Sequence, residues 1–155
     1  MKVDPLQLVF QTAYLYARRL FGMALSPEET RRLGVLCTMF ADEGRRRFLR
    51  LHVDQGGTLS LPGGQLSAQI VDISAEGCLL ELPEELTEER LSERVEVRFT
   101  VERDDCRRIF TGVVCRRATG ERHLVALRFT GIPLELRLAT QHGSIFDALD
   151  AGAQA

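Results

Sequence analysis

Hydrophobic and polar residues alternate through most of this chain, from residue 49 to residue 130. The alternation has no exception in residues 94–101, and Val125, Leu127 and Phe129 share one face of residues 123–129. A period of two is typical of strands with one buried face. No helical crossover separates the runs, so the pattern predicts an antiparallel barrel of about six short strands. The candidate strands are 48–53, 66–73, 77–82, 94–101, 108–116 and 123–129, separated by Gly56-Gly57, Pro62-Gly63-Gly64, an acidic stretch around 83–93, and Thr119-Gly120.

Helical patterns flank the strand region on both sides. An apolar stripe over residues 5–22 predicts a first helix, and Ser26, Pro27 and Glu29 form a capping-box start for a second one. Two such helices are too small to fold alone, so they must pack on the rest of the chain or on a partner. Pro133 leads a C-terminal helical pattern in which Leu134, Leu138, Ile145 and Leu149 share a face.

These patterns divide the chain into three parts. Residues 1–42 are a helical extension, residues 43–150 form the barrel domain with its C-terminal helix, and residues 151–155 are predicted to be a disordered tail. If the apolar faces of the first two helices cannot all pack on the barrel, a homodimer through them is the natural outcome.

Composition excludes several classes of function. The 155 residues carry a formal net charge of −2 and 6 % aromatic residues, which argues against a barrel that binds DNA or RNA through a basic, aromatic groove. No apolar run approaches twenty residues, so we expect no membrane insertion and a cytoplasmic protein. The four cysteines and three histidines have no zinc-binding spacing, and no nucleophile arrangement indicates an enzyme.

One polar cluster, residues 45–50, places four arginines within six positions where the helical segment meets the first predicted strand. Such a run is usually a solvated face. Its guanidinium groups repel one another unless they share an anion, however, and Arg46 and Arg50 point the same way in an extended chain. The cluster is therefore a candidate for holding one bulky anion.

A second cluster, residues 72–77, lies between two predicted strands. Its simplest interpretation is a turn, in which Asp72 and Ser74 bond to local backbone and Gly77 supplies a permissive conformation. The functional interpretation is that Asp72 accepts hydrogen bonds from the edge of a guanine base, while Ser74 offers its hydroxyl to base or phosphate.

Together the two clusters resemble the PilZ domain family, which carries an RxxxR motif followed by DxSxxG. RxxxR corresponds to Arg46 and Arg50, and DxSxxG to Asp72, Ser74 and Gly77. The strand at 125–129 and the following Ile132-Pro133 agree with the family pattern. Ala126 departs from it, since members often have glycine there, and its methyl group narrows the surface near the ligand.

The resemblance implies a mainly β fold with flanking helices, built on a six-stranded antiparallel PilZ-type barrel that binds the bacterial second messenger cyclic di-GMP. Arg46 and Arg50 would hold guanine edges and phosphates, Asp72 and Ser74 would approach from the barrel, and Gly77 would keep the turn open. Arg45 precedes the motif where a side chain influences whether one ligand or a stacked pair binds, and Arg47 is a secondary candidate. No other cofactor and no metal is implied.

The expected function is a cyclic di-GMP receptor and adaptor that changes conformation on binding and signals to a partner, such as a signalling or motility protein, through the N-terminal helices. The alternative is a PilZ-like protein interaction module that does not bind nucleotide. The presence of all five motif residues favours the receptor.

Overall fold

The computed structural model describes residues 4–41, 48–83, 96–118, 120 and 122–138. Within these residues, two helices precede seven strands. The predicted tail, residues 151–155, lies outside the described residues. The elements are α1 (Pro5–Leu20), α2 (Pro27–Met39), β1 (Gly56–Leu61), β2 (Gly64–Ile73), β3 (Gly77–Leu82), β4 (Glu96–Arg103), β5 (Cys106–Ala118), β6 (His123–Phe129) and β7 (Leu134–Arg137).

The strands pair antiparallel and close into a barrel. The order around the barrel is β4-β1-β2-β3-β6-β5, and pairing of β5 with β4 completes the ring. The inward side chains of Leu59, Leu80, Phe99 and Val101 are fully buried, at 0 % exposure. The six-stranded antiparallel barrel predicted from the alternation is therefore confirmed, and strands β2 to β6 match the predicted strands to within two residues at each end.

The first predicted strand, residues 48–53, is wrong. That segment forms isolated bridges, Ala41 with Phe48 and Leu51 with Ile73, and the first regular strand is β1. β1 contains the Gly56-Gly57 pair that the sequence pattern assigns to a turn. Gly57 pairs with Ala68 of β2. A glycine is required there because β4 passes close, and a Cβ atom would overlap the carbonyl oxygen of Thr100.

The helix predicted to begin at Pro133 does not begin there. Residues Leu134–Arg137 form β7, which pairs with residues 106–109 of β5. β6 pairs with β5 only from Gly112 onward, so the first part of β5 has an edge that β7 covers. Backbone hydrogen bonding along this edge outweighs the local helical pattern. Residues 139–149, the rest of the predicted helix, lie outside the described residues.

Both N-terminal helices begin with the local signals that the sequence contains. Asp4 caps α1 by accepting a hydrogen bond from the Leu6 amide at 3.0 Å. The predicted capping box of α2 is present, with Ser26 and Glu29 each accepting a hydrogen bond from the other's backbone amide. Arg18 of α1 pairs with Glu29 at 2.5 Å and so ties the two helices together. No helix in the described ranges is long and apolar enough to cross a membrane.

The helices pack on the barrel of their own chain. Phe10 of α1 meets Phe110 of β5 edge to face, with ring centroids 5.7 Å apart. Tyr16, also on α1, contacts Phe48 in the same geometry at 5.2 Å. The buried residues of α1 and α2 and the inward residues of the barrel form one continuous hydrophobic core. Phe48 thus joins residues 48–50, the described end of the arginine cluster, to α1.

We predict that Gly57→Ala destabilises the fold by about 1–3 kcal/mol, since the added methyl group would overlap β4 and force the two strands apart. The matched control is Gly34→Ala in α2, where nothing lies within 4 Å of the added atom. There the substitution stabilises the helix by about 0.5–1 kcal/mol. Chemical denaturation of both variants measures the two changes, and equal effects would contradict the steric explanation.

Candidate functional site

The structure describes four of the predicted site residues: Arg50, Asp72, Ser74 and Gly77. They lie around the end of β2 and the start of β3. The predicted contributions of Arg45, Arg46 and Arg47 lie outside the described residues, which resume at Phe48. The described part of the site therefore comprises Arg50 of the RxxxR motif and the three defining residues of DxSxxG.

Arg50 is held beside Asp72 by the segment that follows it. Leu51 and Ile73 exchange two backbone hydrogen bonds, of 2.8 and 2.9 Å. A further hydrogen bond of 2.9 Å joins His52 Nδ1 and the carbonyl oxygen of Val71. These contacts bring Arg50 Nη1 to 3.9 Å from Asp72 Oδ1. The structure therefore places one residue of the RxxxR motif beside the first residue of DxSxxG.

A β-bulge sets the direction of the Asp72 side chain. Ile70 pairs with Leu80, but Asp72 pairs with Leu79, so Val71 is an extra residue in β2. With strict alternation, Asp72 would point inward like Ile70, two positions before it. The bulge turns Asp72 to the outer face, beside Leu79, and returns Ile73 to the core.

Asp72 offers an acceptor that the described residues do not satisfy. Its Oδ1 atom is buried and accepts no hydrogen bond from them. The distance of 3.9 Å to Arg50 is too long for a hydrogen bond, although it permits electrostatic attraction. A buried carboxylate oxygen without a donor is costly by about 1–3 kcal/mol or more. The arrangement suits a ligand that brings N–H donors to this position.

Ser74 acts inside the turn between β2 and β3. Its hydroxyl oxygen accepts a hydrogen bond from the Glu76 amide at 3.2 Å and donates one to the Gly77 carbonyl at 3.4 Å. The residue is 5 % exposed. The turn is fixed to β6, because the Phe129 amide donates to the Glu76 carbonyl at 2.8 Å. Ser74 thus stabilises the turn through hydrogen bonds to local backbone, which is the simpler of the two interpretations of the sequence.

Gly77 is needed for a reason that the sequence did not reveal. Its backbone φ is not positive, so it does not supply the permissive conformation expected of a turn glycine. Instead β6 passes so close that a Cβ atom would overlap the carbonyl oxygen of Leu127. Gly77 therefore fixes the spacing of β3 and β6 at the site.

The surface beside Asp72 is apolar. Leu79 pairs with Asp72 on one side and with Ala126 of β6 on the other, so these side chains share the outer face. Ala126 is the position where the expected glycine is replaced, and it lies on this face as the resemblance implies. Sequence reasoning missed Leu79, although its alternation with the inward Cys78 and Leu80 is the signal that could have placed it there.

The Cys78 thiol, which lies next to this site, is unreactive. Cys78 lies behind the outer face, and its burial raises the pKa of the thiol far above the usual range, with the charge of Asp72 adding to the effect. A neutral thiol is a poor nucleophile and a poor metal ligand. Within the described ranges, no three His, Cys, Asp or Glu side chains are grouped to hold a metal ion.

Several solved structures, among them the following two, are similar to this chain. One is the PlzA protein of Borreliella burgdorferi in complex with c-di-GMP, with 16 % identity and a TM-score of 0.41 over 68 % of this chain and 43 % of that one. The other is the YcgR-N domain of YcgR from Escherichia coli, with 19 % identity and a TM-score of 0.35 over 50 % of this chain and 77 % of that one. This chain thus spans less than half the length of the Borreliella protein. A comparison with curated proteins finds no match.

The family comparison covers both motifs and the barrel. The model of the PilZ domain matches residues 44–142, almost two thirds of the chain. The match begins just before Arg45 and extends beyond β7, so it includes every residue of the site described above. The chain therefore belongs to the PilZ domain family.

Proposed function

We propose that this protein is a receptor for cyclic di-GMP that acts as an adaptor, without catalysis of its own. One observation carries the proposal: Arg50 lies beside Asp72 on the outer face of the barrel, and no residue in the described ranges donates a hydrogen bond to the buried Oδ1 atom of Asp72. Cyclic di-GMP is complementary to this pair, because each guanine has an edge that donates hydrogen bonds and an edge that accepts them. Its two phosphates add negative charge for the arginines.

The proposed contacts follow from the chemistry of each side chain. Asp72 accepts from the Watson–Crick edge of one guanine, while Arg50 and Arg46 donate to guanine O6 and N7 or to phosphate. Arg45 can stack on a base, which favours a stacked pair of ligands, and Arg47 remains a secondary candidate. Ser74 and Gly77 support the site mainly through the turn and its contact with β6.

In this proposal, Phe48 transmits the conformational change from the ligand site to the N-terminal helices. Arg50 lies two residues from Phe48, which is 3 % exposed and packs on Tyr16 of α1. A ligand that draws Arg50 and Arg46 toward it also moves Phe48, and Phe48 cannot move without disturbing α1. The helices then present a changed surface to a signalling or motility protein. Because the ligand is an intracellular messenger, this function requires a cytoplasmic location.

Calorimetric titration tests the receptor. We expect cyclic di-GMP to bind the wild-type protein with a Kd near or below micromolar, about −8 kcal/mol. Arg46→Ala and Arg50→Ala each remove a charged donor and should abolish measurable binding. Asp72→Asn keeps the shape of the side chain, removes its charge, and should weaken binding at least about tenfold.

The matched control for these variants is Arg98→Ala. Arg98 is an exposed strand arginine on β4, which lies opposite β3 in the ring. Its removal should leave the affinity unchanged. Folded wild-type protein that gives no heat at tens of micromolar ligand would contradict the proposal and favour the nucleotide-independent interaction module.

Hydrogen exchange tests the route to the helices. Saturating ligand should change the exchange rates of backbone amides in α1 and in residues 48–51, because both pack around Phe48. Phe48→Leu keeps an apolar side chain but removes the aromatic contact with Tyr16. This variant should still bind ligand, with a smaller change in α1. Unchanged exchange throughout α1 in the ligand-bound wild type would exclude this route.

A further inference from the structure

A row of four outward residues crosses the barrel at the level of Asp72. The strand register pairs Asp72 of β2 with Leu79 of β3, Leu79 with Ala126 of β6, and Ala126 with Arg116 of β5. Directly paired residues point to the same face of a sheet. We call these four residues the outward row. It has a carboxylate at one end, an apolar centre, and a guanidinium group at the other end, about 14 Å away across three strand spacings.

A bulge lies beside each end of the outward row. In β5, Val114 pairs with Leu127 but Arg116 pairs with Ala126, so Cys115 is an extra residue, as Val71 is in β2. Strict alternation from the buried Val114 would point Arg116 into the core. Asp72 and Arg116 therefore both point outward because of a β-bulge. Such bulges are common beside binding sites.

Several arginines of the barrel have a carboxylate partner, whereas Arg116 has none among the described residues. It is exposed, and no side chain in the described part of the chain forms an ion pair with it. Its paired neighbour, Ala126, is uncharged, as is the bulged Cys115. By contrast, Arg103 pairs with Asp4, Arg107 with Glu102, and Arg108 with Glu135.

We propose that Arg116 binds a phosphate of the ligand whose guanine is held at Asp72. The inference rests on the proposed receptor function and extends the site to a strand outside both sequence motifs. The polarity of the outward row matches the ligand, because an acceptor for guanine N–H groups and a cation for phosphate lie at opposite ends of an apolar surface. Leu79 and Ala126 then support the ribose or base that lies between them.

Calorimetry on three variants tests the assignment. Arg116→Ala should weaken cyclic di-GMP binding about tenfold or more, as expected for loss of a charge-assisted contact. Arg116→Lys should recover part of the affinity, and the neutral Arg116→Gln should not. Between about 50 mM and about 300 mM salt, the affinity of Arg116→Ala should fall less than that of the wild type, since one screened ion pair is missing. Arg98→Ala is the matched control and should behave as wild type.

The outcomes separate this inference from the receptor function. If Arg50→Ala loses binding while Arg116→Ala stays within about twofold of wild type, the receptor stands and the role of Arg116 is overturned. If Arg116→Ala instead loses discrimination against cyclic di-AMP with unchanged salt dependence, Arg116 contacts a base and the phosphate assignment is overturned. If the folded wild-type protein binds no cyclic di-GMP, both the receptor function and the role of Arg116 are overturned.

Discussion

Closure of the barrel depends on close backbone contacts at glycine positions. A Cβ atom at Gly57 would overlap β4, and one at Gly77 or Gly112 would press on the backbone of β6 from opposite sides. No other residue permits these distances. Since the outer face of the site is formed by β2, β3, β6 and β5, the spacing of its side chains is set by these contacts. Gly77 and Gly112 therefore also set the spacing of β3, β6 and β5 at the site.

The charged residues Asp72 and Arg116 reach the outer face of the barrel because each lies next to a β-bulge. A regular barrel would direct both Asp72 and Arg116 inward, where an ionised group without a partner is strongly unfavourable. The two bulges avoid that cost and place opposite charges on one surface. Asp72 nevertheless has a buried oxygen that accepts no hydrogen bond from the part of the chain that the structure describes, and Arg50 lies 3.9 Å from it.

Local signals in the sequence predicted the elements that depend on local interactions. The capping box of α2 and five of the strands follow from neighbouring residues and were confirmed. The errors arose where pairing with another strand decides the structure: Gly56 and Gly57 pair with β2, and Leu134–Arg137 pairs with the edge of β5. The same limit applies to the site. The family resemblance assigned Arg50 and Asp72 to one site, whereas a hydrophobic period of two cannot reveal the bulge that turns Arg116 outward.

The contact between Tyr16 and Phe48 has a thermodynamic consequence for any partner of the helices. The two rings belong to a single hydrophobic core, so a displacement of α1 and a displacement of the segment bearing Arg50 are not independent. Linkage is reciprocal: if the ligand changes the affinity of the helices for a partner, that partner must change the affinity for the ligand by the same factor. The ligand concentration at which such a protein responds would then depend on two quantities. One is the intrinsic affinity of the site for the ligand, and the other is the concentration of the partner that binds the helices.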